Sequence, residues 1–99
     1  MRPVLAGDVT AVARALLRVP QSVRPGLAHD IIAQAHAADR HRRRLGKCHA
    51  HWGDGTLMAA ALAHPIAKEP NFGDPDYLHC HATIIDALRR HFAPSKERI

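Results

Sequence analysis

The chain has 99 residues with a formal net charge of +5, enough for one domain and no second core. Hydrophobic residues make up 46% of it, but 18 are alanine and only 26 are larger apolar side chains, so the interior must be thin. A core of that kind predicts marginal stability or a partner over part of an apolar face, and no apolar run approaches the ~20 residues that cross a bilayer.

Glycine and proline cut the sequence into four segments of helical rather than alternating period, and none reads as a strand. The first helix is expected over residues 8–18. Asp8 is its N-cap, Val9, Val12, Ala13 and Leu16 fall at helical spacing, and Pro20 forbids continuation. A second, longer helix is expected to begin at Ser22 or Arg24, with Pro25 in the first turn, where its missing N–H costs nothing, and to end at Gly46. Leu27, Ile31, Ala35, Ala38 and Leu45 give it an apolar stripe that thins where arginines take over, so its last two turns are expected to extend into solvent.

After a loop over residues 47–55, Thr56-Leu57-Met58-Ala59-Ala60-Ala61-Leu62-Ala63 reads as a short helix closed by Pro65. It is apolar all round and is expected to be the buried central packing element. Residues 64–73 are irregular because Pro65 and Pro70 interrupt them. Asp74-Pro75-Asp76 is a strong helix start, and Tyr77, His81, Ile84, Ile85, Leu88 and Phe92 continue as its buried face up to Pro94. The expectation is an all-α, small four-helix domain with two long and two short helices over residues 1–93, and a flexible tail over 94–99.

The charge is unevenly placed. Residues 1–39 carry a net +1 and residues 48–99 a net −1, whereas Arg40, Arg42, Arg43, Arg44 and Lys47 contribute +5 within eight positions. His41 adds to this below about pH 6.5. On a continued helix, Arg40, Arg43 and Arg44 share one side, with Lys47 just past the glycine. Cations here complement the helix dipole, and Asp39 with Arg43 forms an i,i+4 pair, together worth about 1 kcal/mol. Four arginines in five positions exceed what a dipole needs, and their mutual repulsion points to an anionic partner. An acidic protein is favoured over DNA, because the arginines sit at the wrong end of their helix for base reading. Non-specific phosphate contact stays open as the alternative. The aromatic content of 4% argues against a base-stacking platform.

Cys48 and Cys80 are too few for a disulfide framework and are expected to be free. With nine histidines in the chain, Cys48-His49-Ala50-His51 and His79-Cys80-His81 raise the question of a metal. Neither has paired ligand spacing, and neighbouring helix residues point about 100° apart, so at most Cys48, His51 and His81 converge; no metal and no cofactor is expected. Nothing orients a histidine toward Cys48, and no phosphate loop, metalloprotease helix or nucleophile elbow occurs, so no enzyme activity is expected. Trp52, in His51-Trp52-Gly53-Asp54-Gly55-Thr56, reads either as an interface anchor or, preferably, as a lid on the alanine-rich helix with Asp54 or Thr56 as the cap.

Three stretches, Arg2-Pro3-Val4-Leu5 with Gly7-Asp8-Val9, Trp52-Gly53-Asp54-Gly55-Thr56-Leu57-Met58-Ala59-Ala60-Ala61, and Asp74-Pro75-Asp76-Tyr77-Leu78, resemble a small uncharacterised family of alphaproteobacterial proteins over most of the chain. That resemblance implies a gene neighbourhood containing a helix-turn-helix activator of gene transfer agent expression, and hence an accessory role in bacterial transcription. It carries over no catalytic or ligand residue. The resulting expectation is a cytoplasmic interaction module with no membrane partner. Its contact residues are Arg40, Arg42, Arg43, Arg44, Lys47 and Trp52, facing an acidic protein; direct nucleic-acid binding and a His/Cys metal protein are the alternatives, and the oligomeric state is left open.

Overall fold

A computed structural model describes residues 1–93. Its helices are α1 (Ala6–Leu16), α2 (Arg24–Leu45), α3 (Leu57–Leu62) and α4 (Pro75–His91), with a single 3-10 turn at Gln21–Val23 leading into α2. The fold is therefore all-α, with two long and two short helices, as the segmentation by glycine and proline predicts. The expected tail, residues 94–99, lies outside the described residues.

Helices α3 and α4 each pack against both α1 and α2. The interior holds Val12, Leu16, Ile31, Leu57, Tyr77, Cys80 and Ile84 as its large buried side chains, with alanines from α1, α2 and α3 between them. Those alanines let the helix backbones approach closely, which is how a chain with few bulky residues still closes a core.

Local chemistry sets most boundaries. Helix α2 has Pro25 in its first turn and ends at Gly46, whose φ of +71 is the left-handed conformation that glycine adopts at low cost. At the start of α4, the Asp74 carboxylate accepts from the Asp76 and Tyr77 amides. Thr56 caps α3, its hydroxyl accepting from the Ala59 amide, while the Asp54 carboxylate accepts from both the amide and the hydroxyl of Thr56. Between α3 and α4 the chain is irregular, as expected, and is tied to α1 by reciprocal bonds between Arg14 and Ala67.

The first helix departs from expectation. It starts at Ala6, and Asp8 lies inside its first turn rather than at the N-cap. One Asp8 oxygen accepts from the Leu5 amide at 2.8 Å and the other from the Met58 amide of α3 at 2.9 Å. A single buried carboxylate thus satisfies the N-termini of two helices.

Three apolar assignments are corrected. Helix α3 buries Leu57, Ala60 and Ala61 but leaves Met58 and Leu62 on the surface, because only its sides toward α1 and α2 are covered. Leu45 is exposed, since the core ends before the last turn of α2. On α4 the buried face is Tyr77, Cys80, Ile84 and Leu88; Ile85 and Phe92 are exposed and His81 is half-buried.

Arg24 is a buried charge that holds a corner. Its Nε donates to the carbonyls of Leu16 and Val19, and its two Nη atoms bind both oxygens of Asp76 at 2.7 and 3.1 Å. The Asp76 hydrogen bond raises the Arg24 pKa against the opposing effect of burial, and the same bond holds the Asp76 carboxyl below its ordinary value. The end of α1, the start of α2 and the start of α4 meet at this one guanidinium.

Candidate interaction surface

The basic cluster is organised around Asp39. This carboxylate is buried on α2 and pairs with the Met1 ammonium at 3.2 Å, Arg42 at 2.9 Å and Arg43 at 3.1 Å. Burial opposes its ionisation, but the Arg42 and Met1 hydrogen bonds and the Arg43 charge outweigh that, and its pKa falls below the ordinary carboxylate value. The expected Asp39–Arg43 pair is present. The last turns of α2 do not all stand free, since Asp39 is buried and Arg42 is half-buried.

Segment 47–55 is pressed against the other side of this centre. Gly55 has φ +94, and a methyl group there would lie 2.7 Å from Asp39 Cβ and 2.8 Å from its Cα. Gly53, at φ +78, comes equally close to α3, where the same addition would meet Ala59 Cβ at 2.6 Å. The Gly55 carbonyl accepts from the Arg2 amide, and Arg2 reaches the Asp54 carboxylate at 3.4 Å. The loop is therefore wedged between α2 and α3, with the first residues of the chain laid beside it.

The five cations of the cluster consequently divide. Arg42 and Arg43 share one carboxylate, and they share it with Met1. Arg40, Arg44 and Lys47 are exposed and have no ion pair among the described residues. Arg43 is thus turned to Asp39, whereas Arg40 and Arg44, one helical turn apart, line a groove of about 440 Å³ together with Ala37, His41, Leu45 and His49. No carboxylate lines it.

His49 forms the wall of that groove opposite α2. Its backbone makes reciprocal hydrogen bonds with Gly53, and its Nδ1 accepts from the amides of His51 and Trp52. An Nδ1 used twice as an acceptor leaves the proton of the neutral ring on Nε2, so the free nitrogen is a donor. The ring stacks on Trp52 at 4.7 Å between centroids and meets the edge of His41 at 5.0 Å. Trp52 is half-buried and stacks on His49, the loop residue that lines the groove, without lining the groove itself. His49 and His41 were not singled out as contact residues from the sequence; their role depends on the Gly53 turn bringing the loop back onto α2.

Among the described residues no group of three or more His, Cys, Asp or Glu side chains is arranged to hold a metal ion. Cys48, His51 and His81 are not brought together; both thiols are free, Cys48 exposed and Cys80 buried. Burial pushes the Cys80 thiol up, which keeps it in the unreactive protonated form.

A second concavity, about 650 Å³, runs between α2 and α4 over Ile32, Ala33 and Ala87. Its rim carries both signs of charge, with His29, His36, Arg90 and His91 beside Asp86. Burial, and then the Met1 ammonium and Arg40, lower the His36 pKa, so the positive field of the basic cluster reaches this rim. Its only sequence signal is the seven-residue spacing of His29 and His36, which places them on one face.

The family model described as Domain of unknown function (DUF7742) matches residues 2–88, and the chain belongs to that family. No curated protein and no solved structure matches. None of the helices described is long and apolar enough to cross a membrane.

Proposed function

We propose that this member of the family is a non-enzymatic interaction module that docks an acidic surface of a protein partner in the groove at the end of α2. Arg40, Arg44 and Lys47 supply the charge, and the Nε2–H of His49 supplies a fixed donor. The observation that carries this reading is the division of the basic cluster: one carboxylate, Asp39, occupies Arg42 and Arg43, while Arg40 and Arg44 line a groove without acids and Lys47, two residues after its Leu45, is also without an ion pair among the described residues. Unpaired cations beside one another repel, and an incoming anion relieves that repulsion. Arg42, Arg43 and Trp52 then act as supports that fix the groove rather than as contact residues.

The resemblance to alphaproteobacterial proteins encoded near an activator of gene transfer agent expression supports a cytoplasmic, accessory role in transcription, with an acidic region of the transcription machinery as the partner class. Co-purification from native cells tests the module. The parent chain is expected to recover a partner that the Arg40→Glu/Arg44→Glu/Lys47→Glu variant loses, with both proteins equally folded by circular dichroism. An identical set of recovered proteins would remove the groove from the argument.

Direct nucleic-acid binding is the second reading, favoured by the adjoining rings of His41, His49 and Trp52, which add π faces beside guanidinium groups. Fluorescence anisotropy with random duplex and single strand over a salt series separates the two. Tight binding that weakens steeply with salt supports nucleic acid, and no binding at low salt eliminates it.

A further inference from the structure

Leu78, Ile85 and Phe92 are 47%, 48% and 62% exposed, although all are large and apolar. They stand seven residues apart, Leu78 and Ile85 on α4 and Phe92 at its C-cap. Ala82 and Arg89, also exposed, fall four residues after the first two, and the five form a stripe with the alternating four-and-three spacing of a two-helix seam. The core face of the same helix, Tyr77, Cys80, Ile84 and Leu88, is already covered. Helix α4 is therefore apolar on two sides, and the fold of one chain uses only one of them.

We propose that this stripe is a self-association surface, on which α4 of a second copy lies antiparallel, with Ile85 against Ile85 at the two-fold axis and Leu78 of each copy against Phe92 of the other. The charge along the helix selects both the occupant and its direction. The N-terminal end carries Asp74 and Asp76, of which Asp76 is paired with Arg24, and the last turn carries Arg89, Arg90 and His91, the two arginines sharing Asp86, so one end keeps an acid in excess and the other a cation. An antiparallel copy brings each basic end toward the other copy's acidic end and opposes the helix dipoles, whereas a parallel copy stacks the arginines on one another.

A two-fold contact of this kind is self-complementary, because the same patch serves both copies. Ala82 lets the backbones approach, and the Arg89 stem lies along the seam with its exposed guanidinium beside the Asp86 carboxylate. From residue 78 to 92 the stripe is about 21 Å long. One helix face of that length buries less than the roughly 800 Å² per partner of a standard interface, so the association is weak and set by concentration. It uses none of the residues of the basic groove, which stays open in the pair.

Sedimentation equilibrium of the full chain, from about 10 µM to 1 mM, tests the association. The mean mass is expected to rise toward two copies across that range. Ile85→Glu is expected to hold the chain monomeric with an unchanged melting temperature, since the side chain is half outside the fold. For the direction, cysteines are introduced into a Cys48→Ser background and mildly oxidised. Ile85→Cys is expected to cross-link with itself, while Leu78→Cys and Phe92→Cys cross-link only when mixed. A monomer at every concentration overturns the proposal, as does a dimer that Ile85→Glu leaves intact. Self-linking of Leu78→Cys overturns the antiparallel geometry by showing a parallel pair.

Discussion

Asp8 has the largest local consequence of any single side chain, because its two oxygens serve two helices that are fifty residues apart in sequence. Asp8→Ala leaves two part-buried amides at the starts of α1 and α3 without an acceptor, and an unsatisfied donor costs up to about 1–3 kcal/mol. The variant is expected to lose about 2–4 kcal/mol in urea denaturation, with Asp8→Asn intermediate because its one carbonyl oxygen keeps a single cap. A loss under about 1 kcal/mol would show that water replaces the carboxylate. From the sequence, Asp8 is legible as a cap but not as a shared one. The local signal, a carboxylate just before an apolar period, is the same whether it caps its own helix or also reaches the amide of Met58.

At the level of elements, the close contact between the loop and α2 rests on Gly55. A methyl group there meets the backbone of Asp39, and the φ of +94 is strained for any side chain. Gly55→Ala is expected to cost about 2–4 kcal/mol. Gly46→Ala, at φ +71 with nothing within 4 Å, is expected to cost about 1 kcal/mol. Comparing the two by thermal melting isolates the close approach from the backbone angle, and equal losses would mean that the loop gives way. Helix ends that depend on nearest neighbours were readable in advance: Pro25 and Gly46 for α2, Asp74 and Pro75 for α4. The faces were less so. Cys80 reads as chemistry in a list of residues and turns out to fill the core, whereas Ile85 and Phe92 read as core and turn out to be surface, a rotation of the buried stripe that only packing against α1 and α2 decides.

For the whole molecule, the histidines and carboxylates set how stability varies with pH. Burial lowers the pKa of His81 despite the nearby Glu69, and burial with the Met1 ammonium lowers that of His36. Between the folded value and about 6.5 the unfolded chain binds more protons, so stability falls as pH drops below that point. The carboxylates of Asp39, Asp54 and Asp76 are held below their ordinary values. Their contribution is present above about pH 4 and is lost as pH falls through the folded values. Melting temperature is therefore expected to be flat above pH 7, to decline toward pH 5 and to decline again below pH 4; His81→Leu should reduce the first decline, leaving the His36 share, and should not change the second. The uneven charge that motivates the functional reading was fully legible in the sequence, but its division into paired and unpaired cations was not, because that depends on which side of α2 faces Gly55.

The Arg24 corner bears on how the chain comes apart. Two of its acceptors, the Leu16 and Val19 carbonyls, are close in sequence, whereas Asp76 and His79, both on α4, are 52 and 55 residues away. Detaching α4 takes the Asp76 carboxylate away from a desolvated guanidinium at the joint of α1 and α2, so loss of the last helix is expected to destabilise that joint as well.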